Sequence, residues 1–338
     1  GSSSLSKSGT GVLTMTGNNT FSGGVNVLAG SVLVGSATAL GSNVNAVAIK
    51  AGATLDLNGY NATFGSLANG QSGQGGVLTN SGAAKTLTLN GTADATFGGA
   101  VSGALSLVKT GAGSQAFTAA SLAYTGTTTI SGGTLDFTKV NFATLAGAVS
   151  VANGAGLNFA IGGASDYTLA EVLAIRAGTT TLPGLTLGAT SAVGVNTANA
   201  SAAIVHADVI ADGAVTGFAK SGAGTLVLTG ANTYAGKTLV TGGILQVGNG
   251  GATGSLNVNS AIEVVGTGAI AFKRNINLVQ GTHFAAGISG SGAVIQDGFA
   301  FDFDNAANPN NGLNKLTLSG VNTYSGGTIL RNGQIKVT

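Results

Sequence analysis

Two histidines are the first residues to weigh for chemistry: His206 in IVHADVI and His283 in GTHFAAG. His206 stands two residues before Asp208, and alternate residues of a strand share a face, so a His–Asp pair is geometrically open. A Ser–His–Asp hydrolase also needs a presented serine. Serines are scattered through the chain, and no Gly-x-Ser-x-Gly elbow marks one of them. HExxH, P-loop and dinucleotide-binding glycine patterns are absent as well. The pair reads as polar residues facing solvent, so no catalytic residue and no cofactor-binding residue is assigned.

The densest set of hard oxygen ligands is 301–312, FDFDNAANPNNG. Asp302, Asp304 and Asn305, with Asn308, Asn310 and Asn311, are of the type calcium prefers. The run departs from an EF-hand loop: its sixth position is Ala307 rather than Gly, and no Glu closes it. It reads as a polar insertion, with no metal site assigned and calcium the one weak cofactor candidate.

Composition narrows the classes. The 338 residues include 59 Gly but only 2 Pro, which points to many tight turns between hydrogen-bonded strands. Charged residues make up 7%, so Ser, Thr, Asn and Gly must cover the surface. The formal net charge of +2 is too small to mark a nucleic-acid binder. Cysteine is absent, which leaves two readings open: no information on compartment, or export through an oxidising space where stray thiols are avoided. No run of 18 apolar residues suggests a membrane helix, and GSSSLSKSGT at residues 1–10 lacks a signal peptide's basic and apolar regions.

The elements that would position any site come from an internal repeat. KSGAGTLVLTGANTYAGKTLVTGGILQV, at 220–247, recurs at 7–34, in degenerate form at 109–137, and without its glycine lead at 315–337. Its corners carry Phe21, Tyr124, Tyr234 and Tyr324, each followed by Gly two and nine residues later. Asn19, Asn232 and Asn322 precede three of these aromatics by two positions. Each aromatic reads as a plug over its own corner, with an aromatic row for stacking on sugars as the other reading. Lys7, Lys109, Lys220 and Lys315 recur at strand starts and read as residues that solvate the face.

Short runs of period-2 alternation separated by Gly and Asn predict half-buried strands throughout. Such units bury their apolar faces only by stacking, so the expected fold is all-β, a parallel β-helix forming one domain over 1–338. A tandem of sandwiches fits less well, because Trp is absent and Phe and Tyr are few. One stretch breaks the pattern: 166–176, DYTLAEVLAIR, predicts a short helical insertion capped by Ser165 or Asp166.

The pattern Gly-x-Gly-x-Leu-x-Leu-x-Gly-x-Asn-Thr-Tyr-x-Gly-x-Thr, then Gly-x-Leu-x-Val, resembles the autotransporter-associated β-strand repeat of Gram-negative passenger domains. The resemblance implies a right-handed β-helix, export through the outer membrane, and display at the cell surface or release from it. It also implies a translocator barrel outside this chain. The function expected is a non-catalytic adhesin or structural stalk, active in adhesion, self-association and biofilm formation. Its partners would be copies of itself or surface glycans, with no nucleic acid and no small-molecule substrate. The alternative is a passive spacer supporting an effector domain elsewhere. A polysaccharide-active β-helix is a third reading, but the 11 Asp and Glu form no evident pair. The fourth copy stops in mid-pattern at Thr338 and the first begins within ten residues of the start, so both ends read as cut or engaged by neighbouring chain.

With no complete metal site in the sequence, thermal unfolding curves with and without EDTA should overlap. A large fall in Tm with EDTA would point to the Asp302–Asn311 loop.

Overall fold

The computed structural model describes residues 1–70, 74–119, 122–285, 287–298 and 314–338. The calcium candidates Asp302, Asp304 and Asn305 lie outside them. The fold is all-β, a parallel solenoid with two short helices among the described residues. It falls into two compact units: residues 1–159 with 182–187, and residues 160–181 with 188–338.

In the first unit one face is built from Val12–Met15, Ser31–Val34, Thr54–Asp56, Val77–Leu89, Ala100–Lys109, Thr128–Ile130, Val149–Val151 and Leu185–Leu187 in spatial sequence. Each pairs in parallel with the next coil. Val32, Leu55, Leu78, Val101 and Leu122 therefore stand in one register column, fully buried. Like side chains at successive coils, about 4.8 Å apart, fill the interior without voids. A second column is aromatic: Phe97, Phe117, Phe137 and Phe159 lie in register. The rings of Phe117 and Phe137 stack with centroids 6.1 Å apart. Helix α1 (Lys139–Ala143), which the sequence reading missed, sets Phe142 edge-on to Phe137 and Phe159 at 5.8 and 5.3 Å. Aromatic residues are few, but four of them share one column.

In the second unit Ile204–His206, Thr225–Leu228, Ile244–Val247, Ala269–Phe272, Ala293–Asp297 and Thr328–Asn332 form one face. Ala192–Asn196, Gly217–Ser221, Thr238–Val240, Ile262–Val264 and Ile288–Ser289 lie on another. Leu226, Leu245, Ile270 and Val294 make its buried column.

The predicted insertion is helix α2 (Leu169–Ala177). Its cap is Thr168, not Ser165 or Asp166: the Thr168 hydroxyl accepts from Glu171 N–H, and the Glu171 carboxylate accepts from Thr168 N–H. Asp166 instead accepts from Gly163 N–H and the Asn199 amide. Arg176, on the inward face, is buried. Its guanidinium donates to the carbonyls of Ala211, Thr216 and Gly217 and lies 5.2 Å from the Tyr234 ring centre.

Coil-to-coil spacing leaves some positions no room for a side chain. A Cβ at Gly194 would stand 1.7 Å from the Ala219 carbonyl oxygen of the paired strand. Gly194→Ala should therefore lower unfolding stability by more than about 3 kcal/mol, the upper range for overpacking. A shift of the denaturation midpoint checks this.

Candidate functional site

The repeat builds its own polar site, and the site faces inward. Lys7, Lys109 and Lys220 are 8%, 2% and 0% exposed. Each lies at the end of a strand, just before the glycine-rich lead of its copy, with its ammonium turned back over that lead. Lys220 Nζ donates to the carbonyls of Ser221, Gly222 and Gly224 in its own coil at 2.9, 2.6 and 2.7 Å, and to Gly242 in the next coil at 2.8 Å. Lys7 Nζ donates to Ser8, Gly9 and, one coil on, Ala29, at 3.0, 2.7 and 3.0 Å. Lys109 Nζ reaches Gly111 and, one coil on, Gly132. The expectation that these lysines solvate an outer face is thus overturned. A glycine corner turns several carbonyls inward, and one multi-donor ammonium reaches several of them together.

The double-glycine step completes the clamp. Gly30, Gly133 and Gly243 have φ of 65°, 58° and 60°, a region that favours glycine. A Cβ at Gly243 would meet Gly222 O at 2.3 Å, Gly224 O at 2.4 Å and Lys220 Nζ at 2.6 Å. Gly30 stands in the same relation to Gly9 and Gly11, and Gly133 to Gly111 and Gly113.

The fourth copy shows that sequence spacing misassigned one lysine. Half-buried Lys315 opens the strand Lys315–Leu318, the position Thr225 holds in the third copy. The residue before the fourth corner is Gln296, 2% exposed, whose amide donates to Asn314 O at 2.7 Å. Asn314 adopts φ of 70°, and a Cβ at Gly333 would lie 2.6 Å from its carbonyl oxygen. A neutral amide thus takes the lysine's place, and residues inserted after Gln296 had hidden the correspondence.

Phe21, Tyr234 and Tyr324 lie in segments between strands, while Tyr124 ends the short strand Leu122–Tyr124. Tyr124 and Tyr234 are buried, and their hydroxyls share hydrogen bonds with Thr128 and Thr238 at 2.6 and 2.7 Å. Thr238 passes the bond on to Ser260 at 2.8 Å. Burial pushes both phenols up to about 12, opposed by these hydrogen bonds and, at Tyr234, by Arg176. Half-buried Tyr324 bonds Thr328 in the same way. Where the aromatic is Phe21, the residue four later is Val25. That exchange of Tyr/Thr for Phe/Val was visible in the sequence and marks a plug whose hydroxyl has a fixed partner.

The asparagines stitch coils. Asn232 donates to Gly230 O and Ser255 O at 3.1 and 2.9 Å and accepts from Ile210 N–H at 3.0 Å, tying three successive coils. Asn19 reaches Gly17 and Ala39 O. Asn322 reaches Gly320 O and the Gln280 amide, and accepts from Ile288 N–H.

The two histidines are not brought together with acids into a reactive set. His206 Nε2 is buried without a hydrogen-bond partner; burial lowers its pKa, and the nearby Asp208 charge opposes this. His283 Nδ1 accepts from Val279 N–H at 3.0 Å. Among the described residues no three His, Asp or Glu side chains gather as metal ligands.

The site defines a class: parallel β-solenoids whose repeats clamp one coil to the next. Residues 5–34, 107–137, 218–247 and 311–337 match the passenger-associated-transport-repeat family. The chain is also similar to the autotransporter adhesin BmaC of Brucella suis biovar 1 (strain 1330), with 31% identity over 234 residues, 69% of this chain. That stretch spans 6% of the adhesin's length. No solved structure matches. The resemblance to repeat-bearing autotransporter passengers therefore holds.

Burial lowers the Lys109 pKa to about 8, and the Asp136 and Asp94 charges oppose the shift. Between about 8 and the ordinary lysine value near 10.5, the unfolded chain holds this proton and the folded chain does not. Stability should therefore rise with pH across that window. Urea midpoints measured from pH 7.5 to 9.5 should climb in the native chain and climb less in Lys109→Met. Equal slopes in the two would refute the assignment.

Proposed function

We propose that the chain is a non-catalytic passenger region that works by surface contact, in adhesion and self-association leading to biofilm, outside the cell after passage through the outer membrane. The observation that carries this reading is the division of polarity. The clamp lysines face inward, and outward columns of the first unit are rich in hydroxyls, with Asp56 the one carboxylate in register with Thr79 and Ser102. Thr88, Val108, Thr129, Ser150 and Thr186 stand in one register, with a Ser150–Thr129 hydroxyl bond at 3.4 Å. Thr79 and Ser102 are bonded at 3.1 Å in a neighbouring column. Faces of this kind approach one another with little charge repulsion and offer hydroxyl groups to glycans. Similarity to a protein named as an adhesin supports the same reading. Its partners are then a second copy or a surface glycan.

A second reading is a spacer that holds an effector domain, and the small share of the long adhesin matched here favours it. Cells displaying the full-length protein, with and without residues 1–338, separate the two. Loss of aggregation and glycan binding on deletion, with competition by the purified chain, is the expected outcome. Unchanged adhesion, with loss only of an activity located elsewhere, favours the spacer.

A further inference from the structure

We propose that Lys7, Lys109 and Lys220 are modification points that decide whether the solenoid closes: an acyl group placed on these amines before folding blocks the clamps. The donor would be a thioester or an acyl phosphate. The amine nitrogen attacks the acyl carbonyl, the thiolate or phosphate leaves, and the amine's proton passes to solvent. The product is a neutral secondary amide with one N–H in place of three.

The Lys220 corner cannot accept that product. Four carbonyls converge on Nζ, and an amide serves one of them. The acyl oxygen would add another acceptor to a corner already lined with acceptors. Space is lacking as well: Lys220 is 0% exposed, and a single Cβ added at Gly243 would already stand 2.6 Å from Nζ. Lys7 and Lys109 share the arrangement, each spanning two coils. Once the corner has closed, the same burial shields the amine, so the modification acts on the unfolded chain alone. The fourth corner, with Gln296 in the lysine's place, offers no amine and is insensitive.

The test uses the full chain with Nε-acetyl-lysine installed at position 220 or, as a control, at exposed position 50. Each is refolded from denaturant and melted by circular dichroism. The chain acetylated at position 50 should melt like the native protein. The chain acetylated at position 220 should lose its cooperative transition or melt more than about 5 °C lower. Lys220→Met, which loses the donors without the acyl bulk, should fall between them. In parallel, an acetylating reagent applied to the folded native chain should label Lys50 and Lys336 and spare Lys7, Lys109 and Lys220. If the chain acetylated at position 220 melts within about 2 °C of native, or if folded Lys220 is labelled as fast as Lys50, the inference is wrong.

Discussion

A coil that reverses direction through glycines turns its carbonyls toward the interior, where the acceptor capacity left over from backbone bonding calls for donors: Gly224 O already accepts from Ile244 N–H and Ser221 O from Thr197 N–H, and both also face Lys220. Everything else in the repeat follows from how that demand is met. Leaving several buried carbonyls without donors costs more than a small domain can spare. A lysine ammonium supplies three N–H groups on a flexible stem. Its desolvation is offset only because carbonyls from two coils converge on it at once. The ammonium therefore binds best when the next coil is already in place. This couples each repeat to its neighbour by a directional contact on top of apolar burial, the main term in a stacked fold.

The clamp also explains the distribution of polarity. Cations sit inside at the corners of Lys7, Lys109 and Lys220, and Arg176 does the same for α2 against the corner that Tyr234 plugs. Outward columns of the first unit carry Thr and Ser hydroxyls beside Val108 and the single carboxylate of Asp56. A chain with few charges thus uses several of them for internal order. The hydroxyl-rich outer columns are the basis for reading the protein as one that acts by contact.

The second repeat shows how the arrangement weakens. Lys109 has fewer carbonyl partners than Lys220, and burial weighs against its charge. Tyr124 retains its threonine partner there, but the corner asparagine is replaced by Leu122. The corner keeps the plug and part of the clamp without the asparagine stitch. Repeats in such a stack need not be equally strong, because each depends only on its neighbours.

Much of this was legible in residue order. Alternation at Leu226 and Leu228 or Leu245 and Val247 gives strands, the aromatic–glycine spacing marks the corners, and repetition gives stacking, because period and turn chemistry are local properties. The direction of a side chain at a strand end is not local. Lys220 at such an end can face solvent or turn back over its corner, and the carbonyl of Gly242 in the next coil joins those of Ser221, Gly222 and Gly224 in holding it inward. Lys315 was grouped with Lys7, Lys109 and Lys220 while Gln296 went unnoticed, because residues inserted between strand and turn preserve contact in space but break spacing in sequence. The gathering of phenylalanines into one column and the capping of α2 by Thr168 were likewise settled by packing. Local pattern determined which elements form, and contact with the next coil decided which way their polar ends point.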